Sequence, residues 1–147
     1  MSPFDGVSPE QFIADFMTSF TDEIVRGEED PGPIVDRYYT PDMIQIADGV
    51  RIDRDKLIAH IRPVRKNLTH YRLEVHEALA SGNRIAARFT IHGQMRKKAV
   101  ATEVHFFGEL AADGRMSRAH QLTRALPTGQ GGQGGQGGQP APGKEEA

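Results

Sequence analysis

Apolar side chains recur at two different periods along this chain, and the change falls near residue 68. Before it, Phe12, Ile13, Phe16, Met17, Phe20 and Ile24 repeat at the spacing of one helix face. Ser8-Pro9-Glu10-Gln11 supplies the start: an N-cap serine, a proline at the first helical position and a capping-box glutamine. Gly27 is the stop. A short second helix runs through Ile34, Val35, Tyr38 and Tyr39 and ends before Pro41, because the residue preceding proline disfavours helix. "MIQIAD" reads as a strand that turns at Gly49, and Asp53 caps a third helix bearing Leu57, Ile58, Ile61 and Val64. Pro63 should bend the last turn of that helix.

From Leu68 the period is two. Tyr71, Leu73, Val75 and Leu79 alternate with polar residues, Ser81-Gly82-Asn83 turns the chain, and Ile85, Ala87, Phe89 and Ile91 follow. A basic loop at Arg96-Lys97-Lys98 leads to Val100, Val104, Phe106 and Leu110, and Ala112-Asp113-Gly114 closes one more hairpin. Four sequential long strands imply an antiparallel meander, whose apolar face the helices must cover. The predicted fold is α+β, a curved antiparallel sheet wrapped around the N-terminal helices. Residues 1–8 are expected to be a flexible N-terminus and 9–126 one domain. The Gly-Gly-Gln repeats of 127–147 are expected to be a disordered tail, since they offer too little apolar surface to offset ordering.

Composition then removes several classes of function. The 147 residues are 37% hydrophobic and 7% aromatic, enough for one real core. A formal net charge of −2 gives no basic face for nucleic acid or an anionic membrane. With no cysteine, thiolate catalysis and zinc–sulfur sites are excluded, and His60, His70 and His76 lack metal-ligand spacing. No leader and no apolar run of about 20 residues is visible, so a cytoplasmic protein is expected. No nucleotide-binding glycine pattern or nucleophile elbow appears, and no cofactor is expected.

The segments "IVDRYYTPDMIQIADGVRIDRDKLIAHI", "ASGNRIAARFTIHG" and "VHFFGELAADGRM" resemble the SnoaL-like branch of the nuclear transport factor two-like superfamily. The resemblance covers roughly residues 9 to 126 and implies a cone-shaped pocket between sheet and helices, and a homodimer by analogy. It also implies cyclase, isomerase or dehydratase chemistry in some members and ligand binding without chemistry in others. The place of the tyrosine that ketosteroid isomerase carries on its first helix falls at Phe20. The place of its base falls at Ala47, with Asp48 adjacent. The histidine of SnoaL-like cyclases matches His105 in "EVHFF", and the place of their aspartate falls at Gln121, which cannot titrate.

These positions define the candidate site. His105 and Asp48 are candidates to move a proton, with Gln121, Tyr39 or Arg88 holding an oxygen. Phe16 and Phe20 would lie at the pocket floor, and Phe106 and His92 complete the candidate substrate-binding set. Strand alternation places His105 opposite the apolar stripe, unless a bulge near Gly108 reverses the register. It likewise leaves Arg88, Thr90 and His92 opposite the apolar row of their strand. Two functions stay open: a cofactor-independent enzyme acting on an apolar, carbonyl-bearing metabolite, or a non-catalytic ligand-binding or dimeric assembly module.

Overall fold

A computed structural model of the chain describes residues 3–128. The tail expected from residue 127 therefore falls almost wholly outside the described residues. Three helices, α1 (Pro9–Arg26), α2 (Pro31–Tyr38) and α3 (Arg54–Asn67), accompany six strands. The strands are β1 (Tyr39–Ala47), β2 (Val50–Ile52), β3 (Leu68–Ser81), β4 (Arg84–Met95), β5 (Lys98–Leu110) and β6 (Met116–Ala125). They form one sheet in the order β2-β1-β6-β5-β4-β3. The β3 to β6 meander is antiparallel, as the sequence pattern predicts. The β1–β6 pair is parallel, a contact between the two ends of the fold that no local pattern announces.

Local chemistry explains the boundaries. Ser8 Oγ accepts from the Gln11 amide at 3.1 Å and Asp53 Oδ1 from the Lys56 amide at 3.0 Å, so both predicted caps form. The Gln11 side chain instead donates forward to Asp15. Gly27 ends α1 with ordinary negative φ; its role is close approach, since a Cβ there would lie 2.6 Å from the Glu23 carbonyl oxygen. Tyr39 opens β1 rather than closing α2. Pro41, which has no N–H to give a ladder, sits where the β1–β6 register shifts between Tyr39 and Ile44. The first turn of the chain, expected to be flexible, docks Phe4 on the Phe12 ring at 5.0 Å.

The core lies between α1 and one face of the sheet. Ile13, Phe16, Phe20 and Ile24 of α1 are buried with Ile85, Phe89, Val104, Phe106, Leu110 and Met116 from the strands. Tyr39 lies between the rings of Phe16 and Phe20, at 5.7 and 5.3 Å. Polar ties fix the helices around this core. Tyr71 of β3 donates to Asp22 of α1, Arg54 of α3 pairs with Asp36 of α2 at 2.8 Å, and Arg65 of α3 donates to the Ile24 carbonyl at 2.7 Å. Tyr38 donates to Glu23 of α1, which also receives Arg37.

Two outcomes follow from this packing. Phe20→Ala leaves a cavity that α1 and the sheet cannot close together, and should cost about 3–5 kcal/mol in urea unfolding. The Tyr38 hydroxyl and then Arg37 hold Glu23 below its ordinary 4.5, while burial and Glu23 push the Tyr38 hydroxyl up to about 12. A carboxylate depressed on folding contributes stability that is present above its unfolded value and fades as pH falls through the folded one. Tyr38→Phe should therefore lower stability at pH 7, by about 1 kcal/mol for a half-exposed charged hydrogen bond. The difference from wild type should shrink once pH falls well below 4.5, as urea midpoints across the pH range would record.

Candidate functional site

Register decides which side chains can share a pocket. β4 and β5 pair without a shift from Arg84↔Glu109 to Met95↔Lys98, so no bulge near Gly108 turns the strand over. The irregularity beside Gly108 lies in the β5–β6 ladder, between Glu109 and Leu110, and leaves the facing of His105 unchanged; another lies in β3 between Val75 and Glu77. One face of the sheet therefore carries Ala78, Ile85, Ala87, Phe89, Val104, Phe106 and Ala119, and it is the face the helices cover. The opposite, outer face carries Arg88, Thr90, His92, Glu103, His105, Phe107, His120 and Leu122.

His105 is thus corrected to the outer face, its side chain 56% exposed. It pairs across the ladder with Arg88 and Leu122, while Gln121 pairs with Phe106 and points inward. Neighbouring strands do not bring His105 and Gln121 together, because the pleat sends them to opposite faces. Arg88 and His92 are corrected in the same way. Arg88 donates to Glu77 at 3.0 Å and Glu103 at 3.2 Å, and Arg124 reaches Glu103 at 2.8 Å. Arg124 first, then Arg88, holds the Glu103 carboxyl below its ordinary range. His92 Nε2 lies 3.0 Å from Glu74 Oε1. These groups form a charge ladder on the outer sheet surface.

Phe16, Phe20, Phe106 and Tyr39 face inward, as core. Burial alone pushes the Tyr39 hydroxyl up. Asp48 sits at the rim with positive φ, and its carboxylate accepts from the Thr123 amide at 2.8 Å and the Thr123 hydroxyl at 2.6 Å. Its own amide donates to the Gln121 carbonyl at 3.0 Å. Of the candidate proton movers and oxygen holders, the structure brings Asp48 beside Gln121 at the rim, and His105 beside Arg88 on the outer face.

Sequence reasoning missed the inner face beside Asp48 and Gln121. α3 runs from the β2 edge to the start of β3, packing on α1 and α2 and reaching β1, β2 and β4. On the inner sheet face Ala47, Gln121, Thr123, Val100 and Thr102 stay only partly buried, and Ile91 is exposed. This incompletely covered stretch of the inner face mixes apolar and neutral polar side chains. A hollow of about 730 Å³ lies on the outer face over Ile44, Ile46, Leu79, Phe107 and His120.

A sequence model of the SnoaL-like domain matches residues 13–119. The chain belongs to the SnoaL-like family. Its parallel closing pair, its three helices and its open curved sheet are that family's ketosteroid isomerase-like architecture. An uncharacterised protein of Schizosaccharomyces pombe is 27% identical over 121 residues, 82% of this chain and 88% of the relative. Among solved structures, an epoxide hydrolase of M. tuberculosis superposes with a TM-score of 0.58 at 16% identity, covering 78% of this chain and 84% of that one. IdmH of Streptomyces antibioticus, a proposed polyketide cyclase, gives 0.56 at 12% identity, with 74% and 89% covered. At those identities the likeness establishes the SnoaL-like fold. Among the described residues, no helix is long and apolar enough to cross a membrane.

An outer-face His105 has a direct consequence. His105→Gln should leave urea stability within about 0.5 kcal/mol of wild type, as expected for a surface position outside the core. Loss of several kcal/mol in that measurement would mean that the imidazole is packed inward.

Proposed function

We infer that this protein binds a small, apolar, carbonyl-bearing organic molecule on the incompletely covered stretch of its inner sheet face. It acts on that molecule by cofactor-independent proton transfer, as a cyclase-, isomerase- or lyase-type enzyme. The observation that carries this reading is the composition of that face. The inward residues there that stay only partly buried are a mixture of apolar side chains with Gln121, Thr102 and Thr123. Small-molecule sites combine an apolar lining with few convergent polar groups in this manner. The SnoaL-like membership and the cyclase and hydrolase neighbours support the same class.

The Gln121 amide is the natural holder of a carbonyl oxygen, because it donates without carrying charge into an apolar site. Asp48 is engaged by Thr123, so it orients the rim of β6 rather than standing free. The test is occupancy of that face by an apolar aromatic ketone, 2-acetonaphthone, followed by NMR saturation transfer. Thr102→Trp should fill the inner face and abolish binding, whereas Leu122→Trp, on the outer face of the neighbouring strand, should not. Equal binding by both variants would move the ligand elsewhere.

The outer face supports a homodimer. Leu79, Phe107 and Leu122 are 76%, 63% and 60% exposed there, beside Arg84, Glu109 and Arg118. An apolar patch ringed by charges of both signs suits pairing of a surface with its own copy. Phe107→Glu should shift the protein from dimer to monomer in sedimentation velocity; an unchanged wild-type mass would place the contact on another surface.

A further inference from the structure

A second hollow, about 380 Å³, lies where the N-terminal turn, α1, the end of α2 and the β5–β6 hairpin meet. Its volume is within the usual range of small-molecule sites, about 300–1,000 Å³. We propose that this hollow binds a small organic cation, an ammonium group carried on an apolar body, with Asp15 as its counter-ion. It shares no residue with the inner-face stretch or with the outer hollow, and the proposal does not depend on either.

One wall is a single face of α1. Phe12, Asp15, Phe16 and Ser19 follow one another at spacings of three, one and three residues, which a helix lines up on one side. Tyr38, from the last turn of α2, closes onto that wall. Its ring meets Phe16 edge-on at 5.5 Å, and Phe12 lies nearly parallel to Phe16 at 6.0 Å. Phe4 of the N-terminal turn meets Phe12 edge-on at 5.0 Å and fixes that ring in its turn. Phe12 and Tyr38 are only partly buried, so aromatic surface is open to the hollow. The face of an aromatic ring attracts a cation and repels an anion.

Charge decides the same way. Two arginines line the hollow, and both are engaged by the protein's own oxygens. Arg37 gives Nε to Glu23 at 3.0 Å and Nη1 to Glu29 at 3.1 Å, and its Nη2 serves both carboxylates. Arg115 gives Nε to Asp113 at 2.9 Å and Nη1 to the Asp36 carbonyl at 3.1 Å. Tyr38 and then Arg37 hold Glu23 below its ordinary range, Arg37 does so for Glu29, and the amide and side chain of Arg115 for Asp113. All three are therefore ionised at neutral pH. Asp15 differs from them: its carboxylate accepts from the neutral Gln11 amide at 2.8 Å, and among the described residues no cation pairs with it. Four carboxylates thus stand against two guanidiniums around the hollow, and the one without a cation is on the aromatic wall.

A guest that satisfies both observations carries a positive charge and an apolar surface. Its ammonium donates to the Asp15 carboxylate and to the exposed Ser19 hydroxyl four residues on, while its apolar body lies against Phe12 and Tyr38. An anion would meet the surplus of carboxylates, and a neutral molecule would leave Asp15 without its partner.

2-Phenylethylammonium and its neutral analogue 2-phenylethanol test the sign of the guest and its place together, with backbone amide resonances as the readout. The wild-type protein should bind the ammonium saturably, shifting the amides of Asp15, Ser19 and Gly114. It should bind the alcohol about tenfold more weakly, the worth of one charged hydrogen bond. Asp15→Asn, an exposed change that should leave the urea midpoint near that of wild type, should weaken the ammonium about tenfold and leave the alcohol as it was. Ser19→Trp should fill the hollow and abolish binding of both. Thr102→Trp, on the inner face, should bind the ammonium like wild type. Equal affinity for ammonium and alcohol, an ammonium affinity unchanged by Asp15→Asn, or no saturable binding to wild type would overturn the proposal. Ammonium binding that survives Ser19→Trp and is lost in Thr102→Trp would put the cation on the inner face and overturn it as well.

Discussion

The unbroken antiparallel register of β4 on β5 is the constraint on which the rest of the molecule depends. Because side chains alternate across a sheet, one slip would exchange every inward group for an outward one. As it stands, Phe89 and Val104 pair on the inner side and meet α1, while Arg88 pairs with His105 outside. The apolar row holds the register in place, since reversing it would bury Arg88 and Glu103 and expose Phe89 and Phe106. Gly108 helps from the same row: a Cβ there would come within 2.8 Å of the Phe106 ring and the Met116 sulfur.

From that register follow two surfaces with different chemistry. The inner surface is packed beneath α1 and only partly covered around Val100, Thr102, Gln121 and Thr123. α1 lays aromatic rings against the sheet, whereas α3 is tied at its ends: Arg54 ties it to α2, Lys56 to β2 and Arg65 to the end of α1. Between those ties Leu57 and Ile61 of α3 are buried in the core, while Thr102, Gln121 and Thr123 of β5 and β6 stay only partly buried. The outer surface needs no helix, since Glu77, Arg88, Glu103 and Arg124 neutralise one another across four strands and solvent reaches them. Beside that ladder the exposed Phe107 and Leu79 break the polar pattern, and this is the part of the surface that invites a second molecule.

The division also separates two kinds of histidine. His92 and His105 sit among carboxylates on the outer face, where Glu74 and Glu103 are within reach. On α3, burial alone lowers the ionisation of His60.

The amino-acid sequence by itself determined the elements and their burial. Ser8 and Asp53 cap their helices, the period-two segments are strands, and Phe16, Phe20, Phe89 and Phe106 are core. These features depend on neighbours within a few residues, so local spacing carries them. Alternation even placed His105 and Arg88 opposite the apolar rows, and the resemblance to cyclases pulled His105 inward against that pattern. Only the tertiary structure decided the parallel β1–β6 pair, the short edge strand β2 and the strand rather than helix at Tyr39, because each rests on partners distant along the chain. It alone also decided the rotation of α3. Arg54, Lys56 and Arg65 find their partners on three other elements, and no spacing within the helix records where those elements lie.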